Sequence, residues 1–287
     1  MQFIPWDSRP LSEWCRKYAA GNFIDLDGHS THYLEKGSGQ PVILLHGFYF
    51  DSYMWHKNID VLAERFKVYA MDLWGFGYST REVMDYDYSL YAHQLLRFME
   101  ALDIDRASLV GQSMGAGTAV YFAARHRERL HKLILVAPAG MPNSLPLIGR
   151  IANLPGVGEF LFGLRNNFVR RIVLDSNFIH NRDFITDDYF ENVVRFHKIA
   201  GTTSTMLQIL RNNFFDTLQD DIRTLGGMDV PILLVCGRQD KSIPTRCSLE
   251  MCRLLKGSHL EVFEKAGHCP HDEQWEKFNR IAIDFLS

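Results

Sequence analysis

Apolar runs and apolar periodicity divide the chain into alternating segments. Continuous runs mark strands buried on both faces, as parallel strands covered by helices must be: Pro41 to Leu45, Val68 to Met71, Ala107 to Val110, Lys132 to Val136, Pro231 to Gly237 and Leu260 to Phe263. Between them lie longer segments with helical spacing: Met54 to Phe66, Ser89 to Leu102, Met114 to Arg125, Thr245 to Leu255 and Glu273 to Phe285. Leu11, Trp14, Cys15 and Tyr18 fall at i, i+3, i+4 and i+7, which predicts a short amphipathic helix over Leu11 to Ala20, expected to pack on the body of the protein. A peripheral membrane contact through Trp6 and Trp14 is the lesser alternative for this stretch. Phe23 to Leu26 and His32 to Glu35 flank Asp27-Gly28, a hairpin signal. Strands alternating with helices of this length predict an α/β fold built on a mostly parallel, doubly wound sheet.

The alternation breaks between Gly140 and about Phe215. Phenylalanines there are interspersed with Arg and Asn, and Tyr189 to Ile199 reads as helical. So much aromatic content does not suit a disordered linker. The stretch is expected to be a helical cap inserted after the sixth strand, giving a core over 1–139, a cap over 140–215 and the rest of the core over 216–287. Most of the cap phenylalanines are expected to form its own small core.

Composition narrows the class. At 46% hydrophobic and 23% charged the chain reads as an ordinary globular protein, and a net charge of −3 with dispersed Lys and Arg excludes a nucleic-acid surface. The five cysteines are odd in number and irregularly spaced, which implies neither a disulfide framework nor a zinc site. With no apolar run of bilayer length and no signal-like start, a cytoplasmic protein without a membrane span is expected, as monomer or homodimer.

The candidate chemistry centres on Gly111-Gln112-Ser113-Met114-Gly115. A serine on a sharp strand-to-helix bend needs glycine two residues to either side, because a side chain there would collide with neighbouring backbone. The helix N-terminus beside it offers unpaired N–H groups to a developing oxyanion. Such a serine needs an acid and a base from later strand ends. Asp240, in Gly237-Arg238-Gln239-Asp240, follows a core strand, whereas the strand before the cap ends in Ala137-Pro138-Ala139-Gly140, without a carboxylate. His268 follows Gly267 directly after the last strand and is preferred over His271, which falls at the start of the closing helix. The backbone N–H groups of Phe48 and Met114 are the expected oxyanion hole, with His46 bracing the loop that carries Phe48. No metal or cofactor is implied, since His268, Cys269 and His271 lack a further ligand set.

In this order Leu44-Leu45-His46-Gly47-Phe48, Asp72-Leu73-Trp74-Gly75-Phe76-Gly77-Tyr78-Ser79, Gly111-Gln112-Ser113-Met114-Gly115, Gly237-Arg238-Gln239-Asp240 and Gly267-His268 resemble the α/β-hydrolase family over essentially the whole chain. The resemblance implies an eight-stranded sheet, a helical cap over the site, and Ser113, Asp240 and His268 as nucleophile, acid and base. Epoxide hydrolases and haloalkane dehalogenases look similar but place an aspartate where Ser113 stands. Carbon–carbon bond hydrolases of aromatic catabolism share the serine and the cap, yet typically carry a Gly-Pro-Gly type loop where this chain has Phe48-Tyr49-Phe50-Asp51.

The resulting expectation is a serine carboxylesterase acting on small to medium apolar esters, because the cap is aromatic. Two alternatives accompany it. A carbon–carbon hydrolase acting on a vinylogous diketone would be marked by a cap charge such as Arg170, Arg171 or Arg195 lining the pocket, and a non-catalytic binder would use the same scaffold without turnover.

Overall fold

Eight strands join in one sheet: β1 (Asn22–Leu26), β2 (His29–Lys36), β3 (Pro41–Leu45), β4 (Lys67–Met71), β5 (Ala107–Gln112), β6 (Leu130–Val136), β7 (Ile232–Gly237) and β8 (His259–Phe263), in the order β1-β2-β4-β3-β5-β6-β7-β8. The computed structural model describes residues 3–145 and 147–287. The first two positions of the N-terminal stretch, and Pro146 within the expected cap, lie outside them. β1 and β2 form the antiparallel hairpin expected around Asp27-Gly28, β2 runs antiparallel to β4, and every later pairing is parallel. β5 and β7 are buried at every position, as strands covered on both faces must be, whereas β1 and β8 form the partly exposed edges.

The helices on the core are α1 (Leu11–Tyr18), α2 (Ile59–Ala63), α3 (Tyr88–Ala101) and α4 (Met114–Ala123). Between β6 and β7 come α5 (Leu147–Ala152), α6 (Val157–Gly163), α7 (Phe168–Val173), a π-helical turn over Leu174–Phe178, α8 (Asp187–Val194) and α9 (Thr202–Asn212). The chain closes with α10 (Gln219–Leu225), α11 (Thr245–Leu254), α12 (Pro270–Glu273) and α13 (Trp275–Leu286). α4, rich in small residues, packs against β3, β5 and β6, and α3 packs on α4.

Some elements differ from the sequence pattern. The helix expected from Met54 to Phe66 is a 3-10 turn over Ser52–Trp55 followed by the short α2. The break falls at Asn58, which is buried and donates to the His271 carbonyl (3.1 Å) and to Asn279 Oδ1 (2.8 Å). The closing helix expected over Glu273 to Phe285 is α13, and the short α12 precedes it, separated at Gln274, whose φ of −129° and ψ of 51° are not helical.

The N-terminal stretch docks on the insertion rather than on the sheet. Asp7, Ser8 and Arg9 N–H groups donate to the carbonyls of His197 and Lys198, Trp6 Nε1 donates to Asn166 O (2.9 Å), and Trp14 Nε1 to Arg195 O (3.0 Å). Trp6 and Trp14 are therefore buried anchors, which removes the membrane contact considered for them. Among the described residues no helix is long and apolar enough to cross a membrane, and the five cysteines are free.

Candidate active site

Ser113 sits between β5 and α4 at φ 52° and ψ −114°, a conformation that L side chains rarely adopt. Its N–H donates to Val136 O (2.9 Å) and its carbonyl accepts from Gly117 (3.0 Å) and Ala139 (3.2 Å), so the strained residue is held by its neighbours. The two flanking glycines are required sterically. A Cβ on Gly111 would lie 2.6 Å from Ala116 Cα, and one on Gly115 would lie 2.5 Å from His46 O. Close packing of the bend leaves no room for either.

His268 comes from the loop after β8 and is almost fully buried. Its Nδ1 hydrogen bonds to Asp240 Oδ2 at 2.7 Å, while Asp240 Oδ1 accepts from Ser242 N (2.8 Å) and Ile243 N (2.9 Å). Asp240 Oδ2 accepts from the Nδ1–H of His268, which leaves Nε2 as the acceptor. Ser113 and His268 line the same pocket, with no direct hydrogen bond between them. Such bonds often tighten only around a substrate.

Phe48 lines this pocket too, just beyond β3. Among the described residues its N–H donates to no acceptor, and neither does that of Met114, the first residue of α4. His46 fixes the Phe48 loop: Nδ1 donates to Gly47 O (2.8 Å) and Nε2 accepts from Leu73 N (2.9 Å). Burial depresses its pKa, with Asp72's charge and the Gly47 bond opposing, so the imidazole is neutral, as this pattern of one donor and one acceptor requires.

Side chains that the sequence pattern did not single out complete the site. Gln112 is fully buried, its Nε2 donates to the His268 carbonyl (2.9 Å), and its Oε1 fills the space that a Cβ on Gly47 would need. It therefore touches all three loops, and its signal in the sequence is an amide at the end of an otherwise apolar strand. Glu273 accepts from Gly267 N (2.6 Å), His180 N (2.8 Å) and Asn181 N (3.0 Å), clamping the His268 loop to the insertion. Tyr49, at φ 80°, joins Phe48 to the insertion: its carbonyl accepts from His197 Nε2 (3.1 Å) and its hydroxyl donates to Arg170 O (3.1 Å). Arg170 Nε in turn donates to His197 Nδ1 (3.3 Å), and its guanidinium lies 3.9 Å above the Trp6 ring. His271, the competing histidine, is fully buried against Trp55, with no partner for either ring nitrogen, and burial depresses its pKa to about 3.

The pocket wall is mostly apolar, with Met141, Ala152, Phe162, Val173, Phe178 and Leu210 among its members. Among the described residues, Asp216 is the carboxylate in the wall. Arg170, Arg171 and Arg195 do not line it: Arg170 points to Trp6, Arg171 pairs with Asp187, and Arg195 lies over Tyr18. Among the described residues no group of three or more His, Cys, Asp or Glu is placed to hold a metal ion.

The sequence model for the alpha/beta hydrolase fold matches residues 40–274. The chain belongs to the α/β-hydrolase fold family. Within the family it is 32% identical over 282 residues to 2-hydroxy-6-oxo-6-phenylhexa-2,4-dienoate hydrolase of Comamonas testosteroni, covering 94% of this chain and 96% of that one. It is 27% identical over 277 residues to 2-hydroxymuconate semialdehyde hydrolase of Pseudomonas sp. strain CF600, covering 93% of this chain and 94% of the relative. Among solved structures, a meta-cleavage product hydrolase from Pseudomonas fluorescens IP01, crystallised with acetates, superposes with a TM-score of 0.83 at 28% identity, covering 93% of this chain and 97% of that chain. The insertion after β6 that closes the pocket thus belongs to a hydrolase fold, and the chemistry such a fold supports is hydrolysis of a small molecule.

Proposed function

We propose that this α/β hydrolase is a serine hydrolase in which Ser113 is the nucleophile, His268 the base, Asp240 the group that orients and stabilises His268, and the N–H groups of Phe48 and Met114 the oxyanion hole. The observation that carries the reading is the strained Ser113 beside a His268 whose Nδ1 is committed to Asp240 at 2.7 Å. His268 Nε2 takes the Ser113 proton as Oγ adds to a carbonyl carbon, and the oxyanion forms against the two N–H groups. Collapse breaks the bond to the leaving group, which receives the proton from His268. Water then gives a proton to His268 and adds to the acyl-serine, and a carboxylic acid leaves with Ser113 restored.

For the bond that breaks, the relatives support carbon–carbon hydrolysis of a vinylogous diketone, the class to which the 6-oxo-dienoate in the Comamonas relative's name belongs. A carbon leaving group departs as an enolate, so the substrate must first reach a keto form that can hold that charge. A specific observation favours a second reading, ester hydrolysis: among the described residues no Lys or Arg lines the pocket, and Asp216 does. A dienoate carboxylate would meet no cation there, whereas an uncharged apolar ester suits the wall.

Wild type and Ser113→Ala are to be assayed in parallel on a 6-oxo-dienoate, followed by loss of its visible absorbance, and on p-nitrophenyl esters from acetate to palmitate. Turnover of the dienoate above that of every ester supports the first reading, and the reverse order the second. Undiminished turnover by Ser113→Ala on either substrate overturns the nucleophile assignment, since losing such a serine typically removes about 10⁶-fold of kcat.

A further inference from the structure

The insertion carries apolar side chains on its outer surface as well as its inner one. Leu147 and Ile151, one turn apart on α5, are 71% and 40% exposed, Leu154 in the turn after α5 is 54% exposed, and Phe160 and Phe168 on the neighbouring α6 and α7 are 67% and 68% exposed. The other large exposed apolar side chains among the described residues, Phe23, Val83 and Leu249, are scattered over the core. Such a concentration on helices that pack on one another in turn is unlike the single exposed apolar residues that need no explanation.

The charge around these residues is also local. Between Met141 and Leu174 there are four arginines and one glutamate, on a chain whose net charge is −3. Glu159 is taken by Arg211 at 2.7 Å, Arg171 by Asp187, and Arg170 is buried. Arg150 and Arg165 remain, exposed and, among the described residues, without an acidic partner. The same helices face the pocket from their other side, through Gly149 and Ala152 of α5 and Phe162 of α6.

We propose that the outer face of α5, α6 and α7 docks on the headgroup layer of an anionic phospholipid bilayer. Apolar side chains in the company of unpaired arginines match the two layers of such a surface, hydrocarbon below and phosphate above. A second copy of the chain fits less well. In a two-fold contact the same patch meets itself, bringing Arg150 and Arg165 of both copies together with no acidic partner between them. Docking there sets the pocket wall against the membrane, so that an apolar substrate dissolved in the bilayer enters without crossing water. That consequence for substrate supply rests on the hydrolase reading above, whereas the docking itself does not.

The test uses full-length Ser113→Ala, so that binding is read without turnover, in flotation with vesicles of phosphatidylcholine alone and of phosphatidylcholine with phosphatidylglycerol. Binding to the anionic vesicles is expected to exceed binding to the neutral ones by on the order of 30-fold, from two exposed arginines. Arg150→Glu with Arg165→Glu removes that preference, and Leu154→Ser with Phe160→Ser and Phe168→Ser weakens binding to both vesicle types without lowering the melting temperature. Absence of flotation, flotation indifferent to both sets of substitutions, or a dimer in light scattering that the serine substitutions dissolve while vesicles go unbound would each overturn the proposal. Vesicle binding by a wild type that hydrolyses neither substrate class would leave the docking standing and remove the hydrolase reading alone.

Discussion

Asp51 and Asp72 are both buried, and their carboxyl pKa values move in opposite directions. For Asp72, burial pushes the carboxyl up, but His32's charge and hydrogen bond, His46 and the Tyr78 N–H outweigh it and hold the pKa at about 2. Burial pulls the His32 imidazole down, and the Asp72 charge and bond, with the Ala20 carbonyl, more than restore it, leaving His32 above its ordinary value. Asp51 has no such partner: burial and the Asp72 charge raise its carboxyl well above the usual range, against the Tyr53 N–H bond and the charges of His32 and Arg195. An acid with a raised folded pKa loses its proton earlier in the unfolded chain, so Asp51 lowers stability progressively as pH rises above about 4 through its folded pKa. Asp51→Asn keeps an oxygen for Tyr53 N–H and removes the ionisation. The substitution should raise the melting temperature at pH 8 and leave it unchanged near pH 3.5, read by calorimetry at both values; a fall at pH 8 would show Asp51 to be ionised and needed so. Asp72 behaves in the reverse sense, since its depressed pKa contributes stability that is present above pH 4 and is lost as pH falls through about 2.

The bend between β5 and α4 is legible in the sequence, because a steric demand leaves a local trace. Gly111 and Gly115 stand where backbone approaches closest. Gly115→Ala is expected to cost roughly 1 to 3 kcal/mol, as overpacking does, and to lower kcat with it, since the added methyl presses on the carbonyls of Leu45 and His46, directly before the Phe48 loop. Denaturant unfolding together with kcat measures both; a variant of full stability and full activity would show that the strand has room to move. The strands and long core helices could likewise be read from their own periodicity. The break at Asn58 could not, because it is set by a partner far away in the chain, Asn279. The same holds for Gln112, Glu273 and Tyr49. Their site roles lie in bonds to His268, to Gly267 and to His197, and no local spacing records those. α10, over Gln219–Leu225, leaves no pattern in the sequence because its buried residues are only Ile222 and Leu225, too few to make a period.

At the scale of the whole molecule, the insertion holds the site rather than merely covering it. Phe178 O accepts the His268 N–H (2.8 Å), Glu273 binds backbone on both sides of the junction, and His197 holds the Tyr49 carbonyl next to Phe48. The last of these passes through Arg170 to Trp6. Trp6→Ala, which opens a void and takes the aromatic face from Arg170, should cost roughly 3 kcal/mol of stability and lower kcat about tenfold, with Trp6→Phe restoring most of both. Equal kcat in Trp6→Ala and wild type, measured at a temperature where both are folded, would show that this chain of contacts stops short of the oxyanion loop.

Engineering inherits an asymmetry from that chain of contacts. Affinity tags and fusion partners are usually added to whichever terminus is convenient, on the premise that both are inert handles. Here Trp6 to Arg9 is threaded against the carbonyls of His197 and Lys198, within three contacts of the loop that holds Phe48. A bulky extension placed directly ahead of Trp6 would act at a distance on turnover, as an active-site substitution does, while the same extension after Ser287 would leave the strap undisturbed.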